Sequence, residues 1–164
     1  MPSPKSSIKE IAVAIDLAKG SSAVMRTAIA QAVNAGPECA RLHLIHIAEP
    51  NIANVRPPDD MDAPELTGND PHKLREFVAH RLAEHAKYNP SAPQPQIEII
   101  TDTGDPAEKI CAHAASVDAD LIVLGTHGRT GIKRLLIGSV AEKVVRLAGC
   151  PVLVVRDKQH AAGE

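Results

Sequence analysis

The fold is decided by residues 120–155, which read DLIVLGTHGRTGIKRLLIGSVAEKVVRLAGCPVLVV. The predicted strand at 120–124 is apolar from Leu121 onward, which is typical of a strand buried on both faces of a parallel sheet. A glycine-rich loop follows from Gly125 to Ser139, and the pattern S-x-x-E at 139–142 predicts a capping box that begins a helix. The run 152–155 predicts a further strand. The segment is therefore strand, glycine loop, helix, strand.

The same alternation extends back along the chain. Strands are predicted at 8–15, 40–47 and 97–101, and a helical pattern follows each of them. This order predicts an α/β fold with a five-stranded parallel sheet, helices on both faces and right-handed crossovers. We expect one domain spanning 1–164, with an acidic, proline-containing loop at 49–70 and a flexible tail at 157–164.

Composition argues against several classes of partner. The formal net charge is −2 and the chain has one Phe, one Tyr and no Trp, so neither a basic surface nor a base-stacking platform favours nucleic acid. No apolar run approaches the roughly 20 residues needed to span a bilayer. We expect no membrane partner and a cytoplasmic protein without a signal peptide, whose three cysteines (Cys39, Cys111 and Cys150) are reduced and mostly buried.

The glycine loop is a candidate anion site. Glycine lets backbone N–H groups approach a phosphate closely, and the following helix N-terminus adds unpaired N–H donors and partial positive charge. Arg129, Lys133 and Arg134 add full charges. The alternative needs no ligand, because Ser139 and Glu142 are explained by helix capping and the cations by a solvated face.

The loop also resembles a known family signature. Gly125-x-x-Gly128, nine further residues and then Gly138-Ser139 resemble the G-2x-G-9x-G-[ST] pattern of universal stress proteins. The similarity continues at 14–16 (AID), 104–108 (GDPAE), 141–144 (AEKV) and 150–155 (CPVLVV). The resemblance implies a Rossmann-like (adenine nucleotide alpha hydrolase-like) fold with strand order 3-2-1-4-5. That order places the switch point, where ligands bind such sheets, between strands 1 and 4.

The resemblance to the ATP-binding branch of the family also implies a set of ligand residues. Asp16 would lie on the adenosine side, Ile47 (in place of the common Val) against adenine, and Gly138, Ser139 and the Val140 backbone on phosphate. Mg²⁺ would be held mainly by the phosphates, with no metal site from the protein alone. The full set is Ile15, Asp16, Ile47, Gly125, Thr126, His127, Gly128, Arg129, Gly138, Ser139 and Val140.

Two features leave alternatives open. Asp16 at a strand end is equally explained as a turn residue that accepts backbone hydrogen bonds. Leu17-Ala18 departs from the small, polar residues that often follow this aspartate in the family.

None of the eight histidines has the spacing of a metal-ligand set, and we assign no catalytic residue.

The resemblance further implies a homodimer through an apolar edge strand made of Val152, Leu153, Val154 and Val155. As function we expect an ATP-dependent sensor in stress response with at most weak ATPase activity. One alternative is a slow ATP hydrolase or nucleotidyl transferase that uses Asp16 and His127. Another is an interaction module that binds no nucleotide.

Overall fold

Strands and helices alternate strictly along the residues that the computed structural model describes, which are 7–18, 20–48, 71–126 and 137–156. The strands are β1 (Glu10–Ala14), β2 (Arg41–Ala48), β3 (Ile97–Thr103), β4 (Leu121–Gly125) and β5 (Val152–Val155). The helices are α1 (Ser21–Asn34), α2 (Pro71–Tyr88), α3 (Pro106–Ser116) and α4 (Ser139–Leu147). The predicted acidic loop at 49–70 and the predicted tail at 157–164 lie outside the described residues.

The five strands form one parallel sheet in the order β3-β2-β1-β4-β5, which confirms the predicted topology. Ile11 in β1 lies beside Leu42 of β2 on one side and Leu121 of β4 on the other. Because all the strands run the same way, their carboxyl ends share one edge of the sheet. The chain changes direction across the sheet between β1 and β4, so the switch point lies where it was predicted.

Helices cover both faces, and each face has its own apolar core. Helices α1 and α2 pack on one face, where the fully buried strand residues are Ile11, Val13, Leu42, Leu44 and Val123. Helices α3 and α4 pack on the other through small residues such as Ala107, Ala114 and Ala141, against Ala12, Ile45 and Ile122. Aliphatic and small side chains thus fill the core with almost no aromatic contribution.

Proline and glycine residues at the helix ends explain where the helices begin and end. Helix α2 starts at Pro71, whose fixed φ suits the first helical position, and stops before Asn89-Pro90. Helix α1 stops before Gly36, which adopts φ +139, a conformation open mainly to glycine. In the part of the chain described, no helix combines the length and the apolar character that a membrane span requires.

The cysteines correct one expectation. Cys39, Cys111 and Cys150 form no disulfide with one another, but all three are partly exposed rather than buried. Cys39 lies in the α1–β2 turn, Cys111 on α3 and Cys150 just before β5. None of the three lies within a strand of the sheet, where the most deeply buried side chains are.

Ile122 tests the packing of the second core. It is fully buried in β4 and belongs to the core that α3 and α4 cover. Ile122→Ala should therefore lower the free energy of unfolding by about 2–5 kcal/mol. The control Val145→Ala removes an aliphatic side chain that is 50% exposed on α4 and should change stability by less than about 0.5 kcal/mol. Urea denaturation followed by circular dichroism measures both, and equal losses would contradict this account of the core.

Candidate functional site

The two ends of the glycine loop are joined by a backbone hydrogen bond. Gly138 N–H donates to the Thr126 carbonyl at 2.7 Å, and Thr126 N–H donates to the Val155 carbonyl at 3.0 Å. The start of α4 is therefore fixed against the carboxyl ends of β4 and β5. The predicted loop residues His127, Gly128 and Arg129 lie outside the described residues.

The start of α4 differs from the predicted capping box. Gly138, not Ser139, is the N-cap, with extended backbone (φ −60°, ψ 157°), and no side chain caps the helix. Ser139 is the first helical residue, and the Glu142 carboxylate binds Arg146 at 2.6 Å instead of reaching back to the cap. The capping-box prediction was wrong by one residue, because an extended glycine fits the N-cap and Arg146 competes for Glu142. Because Ser139 and Val140 are in the first turn of α4, their N–H groups have no carbonyl acceptor within the helix.

A lysine ties the starts of α3 and α4 together. Lys143 Nζ lies 3.1 Å from Asp105 and 2.9 Å from Glu108, while Asp105 also caps α3 by accepting Glu108 N–H at 2.9 Å. The Glu108 N–H and then Lys143 hold the pKa of Asp105 below its usual range. The Glu108 side chain binds Lys143, while its own N–H is the group that Asp105 caps. The N-terminus of α4 is thus braced from the side.

Asp16 lies where β1 ends and shapes the turn into α1. Its Oδ1 atom accepts Ala18 N–H at 2.9 Å and the Ser21 hydroxyl at 3.0 Å. Between them Leu17 adopts φ +63, which is costly for a branched side chain and is offset by packing of that side chain on the core. Asp16 therefore does act as a turn residue, and the Leu17-Ala18 sequence is compatible with the turn.

Ile47 lies at the end of β2, two strands from β4. It is partly buried against the α3–α4 core. The preceding residue, His46, is buried on the opposite face and its Nδ1 lies 2.9 Å from the Ile15 carbonyl. Sequence reasoning considered His46 only as a metal ligand and missed this contact. The available signal was a polar side chain within a buried strand, where a hydrogen-bond partner is required.

A charged cluster at the end of β3 was also missed. Asp102 Oδ2 lies 3.0 Å from both Lys109 Nζ and His113 Nε2 on α3, and Asp102 Oδ1 accepts Thr103 N–H at 2.8 Å. The Lys109 hydrogen bond, followed by those from Thr103 N–H and His113, lowers the pKa of Asp102 to about 2. Asp102 lies beside Ile47 in the sheet register, so this cluster fixes α3 next to the same edge.

The fold thus brings most of the predicted residues to one edge. Ile15 and Asp16 directly follow β1, Gly125 ends the adjacent β4, and Thr126 joins that end to the start of α4. Within the described ranges, no group of three or more His, Cys, Asp or Glu side chains could hold a metal. Burial raises the pKa of the Cys39 and Cys111 thiols, which makes both poor nucleophiles.

Sequence comparison identifies the relatives of this architecture. The model of the universal stress protein family matches residues 7–156. The chain belongs to the universal stress protein family. Universal stress protein MJ0531 of Methanocaldococcus jannaschii is 37% identical over 124 residues, which cover 71% of this chain and 73% of that protein.

Solved structures of the family share the fold. Universal stress protein UspA from Lactobacillus plantarum superposes with a TM-score of 0.61 at 24% identity, covering 92% of this chain and 99% of that one. A universal stress protein in complex with cAMP gives 0.56 at 24% identity, covering 92% and 98%. The Archaeoglobus fulgidus protein in complex with dAMP gives 0.55 at 21% identity, covering 89% and 96%.

Asp102 gives this universal stress protein a specific acid response. A carboxyl group whose pKa falls from 3.8 unfolded to about 2 folded adds stability above pH 4, and this stability is lost as the pH falls from about 4 to about 2. Asp102→Asn should therefore lower the urea midpoint at pH 7, and the difference from wild type should shrink by pH 2. Glu76→Gln, at an exposed position on α2, controls for removal of one negative charge. A difference that stays constant over this pH range would contradict the role of Asp102.

Proposed function

We propose that this chain binds ATP at the carboxyl edge between β1 and β4 and acts as a nucleotide-dependent sensor in stress response, with little or no catalysis. The observation that carries the proposal is the Gly138 N–H bond to Thr126, which sets the N-terminus of α4 at the switch point. The two features that favour an anionic ligand in α/β sheets therefore coincide.

The phosphates would lie at the start of α4. The N–H groups of Ser139 and Val140 and the Ser139 hydroxyl are at the end of a helix whose dipole favours negative charge. Because Gly138 has no side chain, the phosphate oxygens can approach the backbone closely. Lys143 braces this turn while its own charge is directed to Asp105 and Glu108. Within the described part of the chain, phosphate binding would thus rest mainly on backbone donors.

The nucleoside would extend toward β1 and β2. Asp16 lies at the end of β1 and Ile47 at the end of β2, so a ligand reaching from α4 across β1 meets both. The family structures with cAMP and dAMP support an adenine nucleotide as the ligand class. We propose ATP because the helix terminus offers several donors. Mg²⁺ would then arrive with the phosphates, since it is commonly held through phosphate oxygens and water.

We prefer a sensor to an enzyme because the Asp16 carboxylate at this edge is already hydrogen-bonded within the protein. Asp16 Oδ1 already accepts two hydrogen bonds within its own turn. A carboxylate committed to a turn is a poorer general base than one aimed at a reacting water. Binding energy would instead change the population of conformers or assemblies that another protein recognises.

Gly138→Val tests the phosphate site. The backbone angles of Gly138 suit any residue, but a branched side chain there would cover the first N–H groups of α4. Isothermal calorimetry with nucleotide-free protein and MgATP should give binding by wild type and at least about a tenfold weaker affinity in the variant.

Gly149→Val is the matched control. A Cβ at Gly149 meets nothing within 4 Å, and this residue lies before β5, at the opposite edge of the sheet. It should bind MgATP as wild type does. Absence of binding by wild type would overturn the proposed function, and steady phosphate release in the same samples would favour the hydrolase.

We also propose that the chain forms a homodimer through β5. Among the described residues β5 pairs only with β4, so its outer backbone groups face away from the sheet. Leu153 and Val155 pack toward one core and Val152 and Val154 toward the other, which leaves a short apolar edge. An antiparallel, two-fold pairing of two such edges would satisfy the backbone and cover the side chains.

Val154→Glu tests the dimer. A charge on this strand would face its own copy across the two-fold axis, so the variant should elute as a monomer while wild type elutes as a dimer. Tyr88→Glu adds the same charge at a site 71% exposed on α2 and should leave the dimer intact. Light scattering during size-exclusion chromatography gives both masses, and a Val154→Glu dimer would refute the interface.

A further inference from the structure

His46 is a buried polar side chain that makes a hydrogen bond to the backbone of a neighbouring strand. It is 3% exposed, and its Nδ1–H donates to the Ile15 carbonyl at 2.9 Å. This bond crosses from the end of β2 to the end of β1, directly between Asp16 and Ile47. The position of the imidazole therefore bears on the edge where the nucleoside is proposed to lie.

The contact falls where the β1–β2 ladder stops. In a parallel pair, each residue that faces its neighbour bonds to two residues of that strand, one on each side of its own level. The last such bond is from Ile15 N–H to the Ile45 carbonyl, and strand pairing ends at Ala14 with Ile45. The next bond of the ladder would be from Ile47 N–H to the Ile15 carbonyl. His46 donates to that carbonyl instead.

Among the described residues, no backbone group bonds to Ile47 on its β1 side. Its N–H and C=O point toward the β1 side, as those of Ile45 do, whereas the Ala48 carbonyl on the other side accepts Gly104 N–H from beyond β3. Past Ile15 the β1 chain turns away at Asp16 and Leu17. A neighbouring donor and acceptor on one open strand edge match the amino and ring-nitrogen edge of adenine.

We propose that His46 is a positioning residue for the nucleotide site: by occupying the Ile15 carbonyl it ends the ladder and keeps the Ile47 backbone available to the base. The inference rests on the proposed ATP function but makes a separate claim, that the imidazole controls the hydrogen bonding of Ile47. It needs no contact between His46 and the ligand.

His43 supplies a matched control on the same strand. It is also 3% exposed, but it lies at the opposite edge, with Nε2 2.6 Å from Glu10 and Nδ1 3.1 Å from Glu98. Its replacement should destabilise the fold without reaching Ile47. His46→Leu removes the donor, whereas His46→Asn retains a side-chain N–H near the Nδ1 position.

The first experiment is amide hydrogen exchange of the nucleotide-free protein by NMR, which requires no ligand. Exchange of the Ile47 amide should slow at least about tenfold in His46→Leu, because the freed Ile15 carbonyl accepts it, and should stay at the wild-type rate in His46→Asn and His43→Leu. Unchanged exchange in His46→Leu would overturn the inference. If His46→Leu does not fold, nitrogen NMR of the His46 ring in wild type provides an independent test. A neutral ring with its proton on Nε2 would overturn the inference, because Nδ1 could then not donate to the Ile15 carbonyl.

The second experiment is calorimetry with MgATP on the same proteins. His46→Leu should bind at least about tenfold more weakly than wild type, with affinity restored in His46→Asn and retained in His43→Leu. Wild-type affinity in His46→Leu, or equal losses in His46→Leu and His43→Leu, would reject the positioning role while leaving the ATP proposal intact. Failure of wild type to bind would reject the ATP proposal, and the Ile47 exchange rates would still decide what His46 does.

Discussion

The hydrogen bond from Gly138 N–H to the Thr126 carbonyl organises the carboxyl edge of this protein. It closes a loop whose ends would otherwise separate, and it fixes the axis of α4 relative to β4. Since β4 is paired with β1, the same bond sets the distance from the helix terminus to Asp16. Lys143 restrains the helix from a second direction through Asp105 and Glu108. The helix terminus is thereby held in place without using its own first N–H groups.

The two edges of the sheet are bonded in different ways. At the amino edge, Asp120 Oδ2 accepts the N–H groups of Lys9 and Glu10 at 2.8 and 3.0 Å, and His43 lies between two glutamates. The Asp120 carboxylate thus satisfies two backbone N–H groups within the protein, which favours stability. At the carboxyl edge the side chains of Asp16 and His46 bind local backbone instead and stop the regular pattern. A sheet can be stable and still offer backbone groups to a ligand when its stabilising contacts lie at the amino ends of the strands and the unpaired groups lie at the carboxyl ends.

Apolar periodicity was sufficient to predict the alternation of strands and helices, because it depends on local residues, and the described residues form the expected five strands and four helices. The strand order and the switch point were instead implied by the resemblance of the glycine spacing to the universal stress proteins, and the sheet has that order. The start of α4 was misplaced by one residue, because the choice between Gly138 and Ser139 as N-cap depends on where Thr126 and Arg146 lie. The Asp102 cluster depends on how α3 packs beside β3, which periodicity alone does not specify. The His46 contact joins two strands that are distant in the chain, so its partner is set by sheet register, which a single sequence specifies only weakly.

Among the residues that the structure describes, the proposed nucleotide site consists largely of backbone groups, and this explains which sequence changes it accommodates. Ile47 would contribute through its strand position, Ser139 and Val140 through helix N–H groups, and Ile15 through its carbonyl. Side-chain identity then matters where it shapes the backbone: an extended glycine at 138, a donor at 46 and a carboxylate at 16 that supports the left-handed Leu17. Leu17-Ala18 can replace small polar residues because the turn is held by Asp16 rather than by its neighbours. A site of this kind needs few reactive side chains, because its position is defined by where the hydrogen bonds between β1 and β2 end.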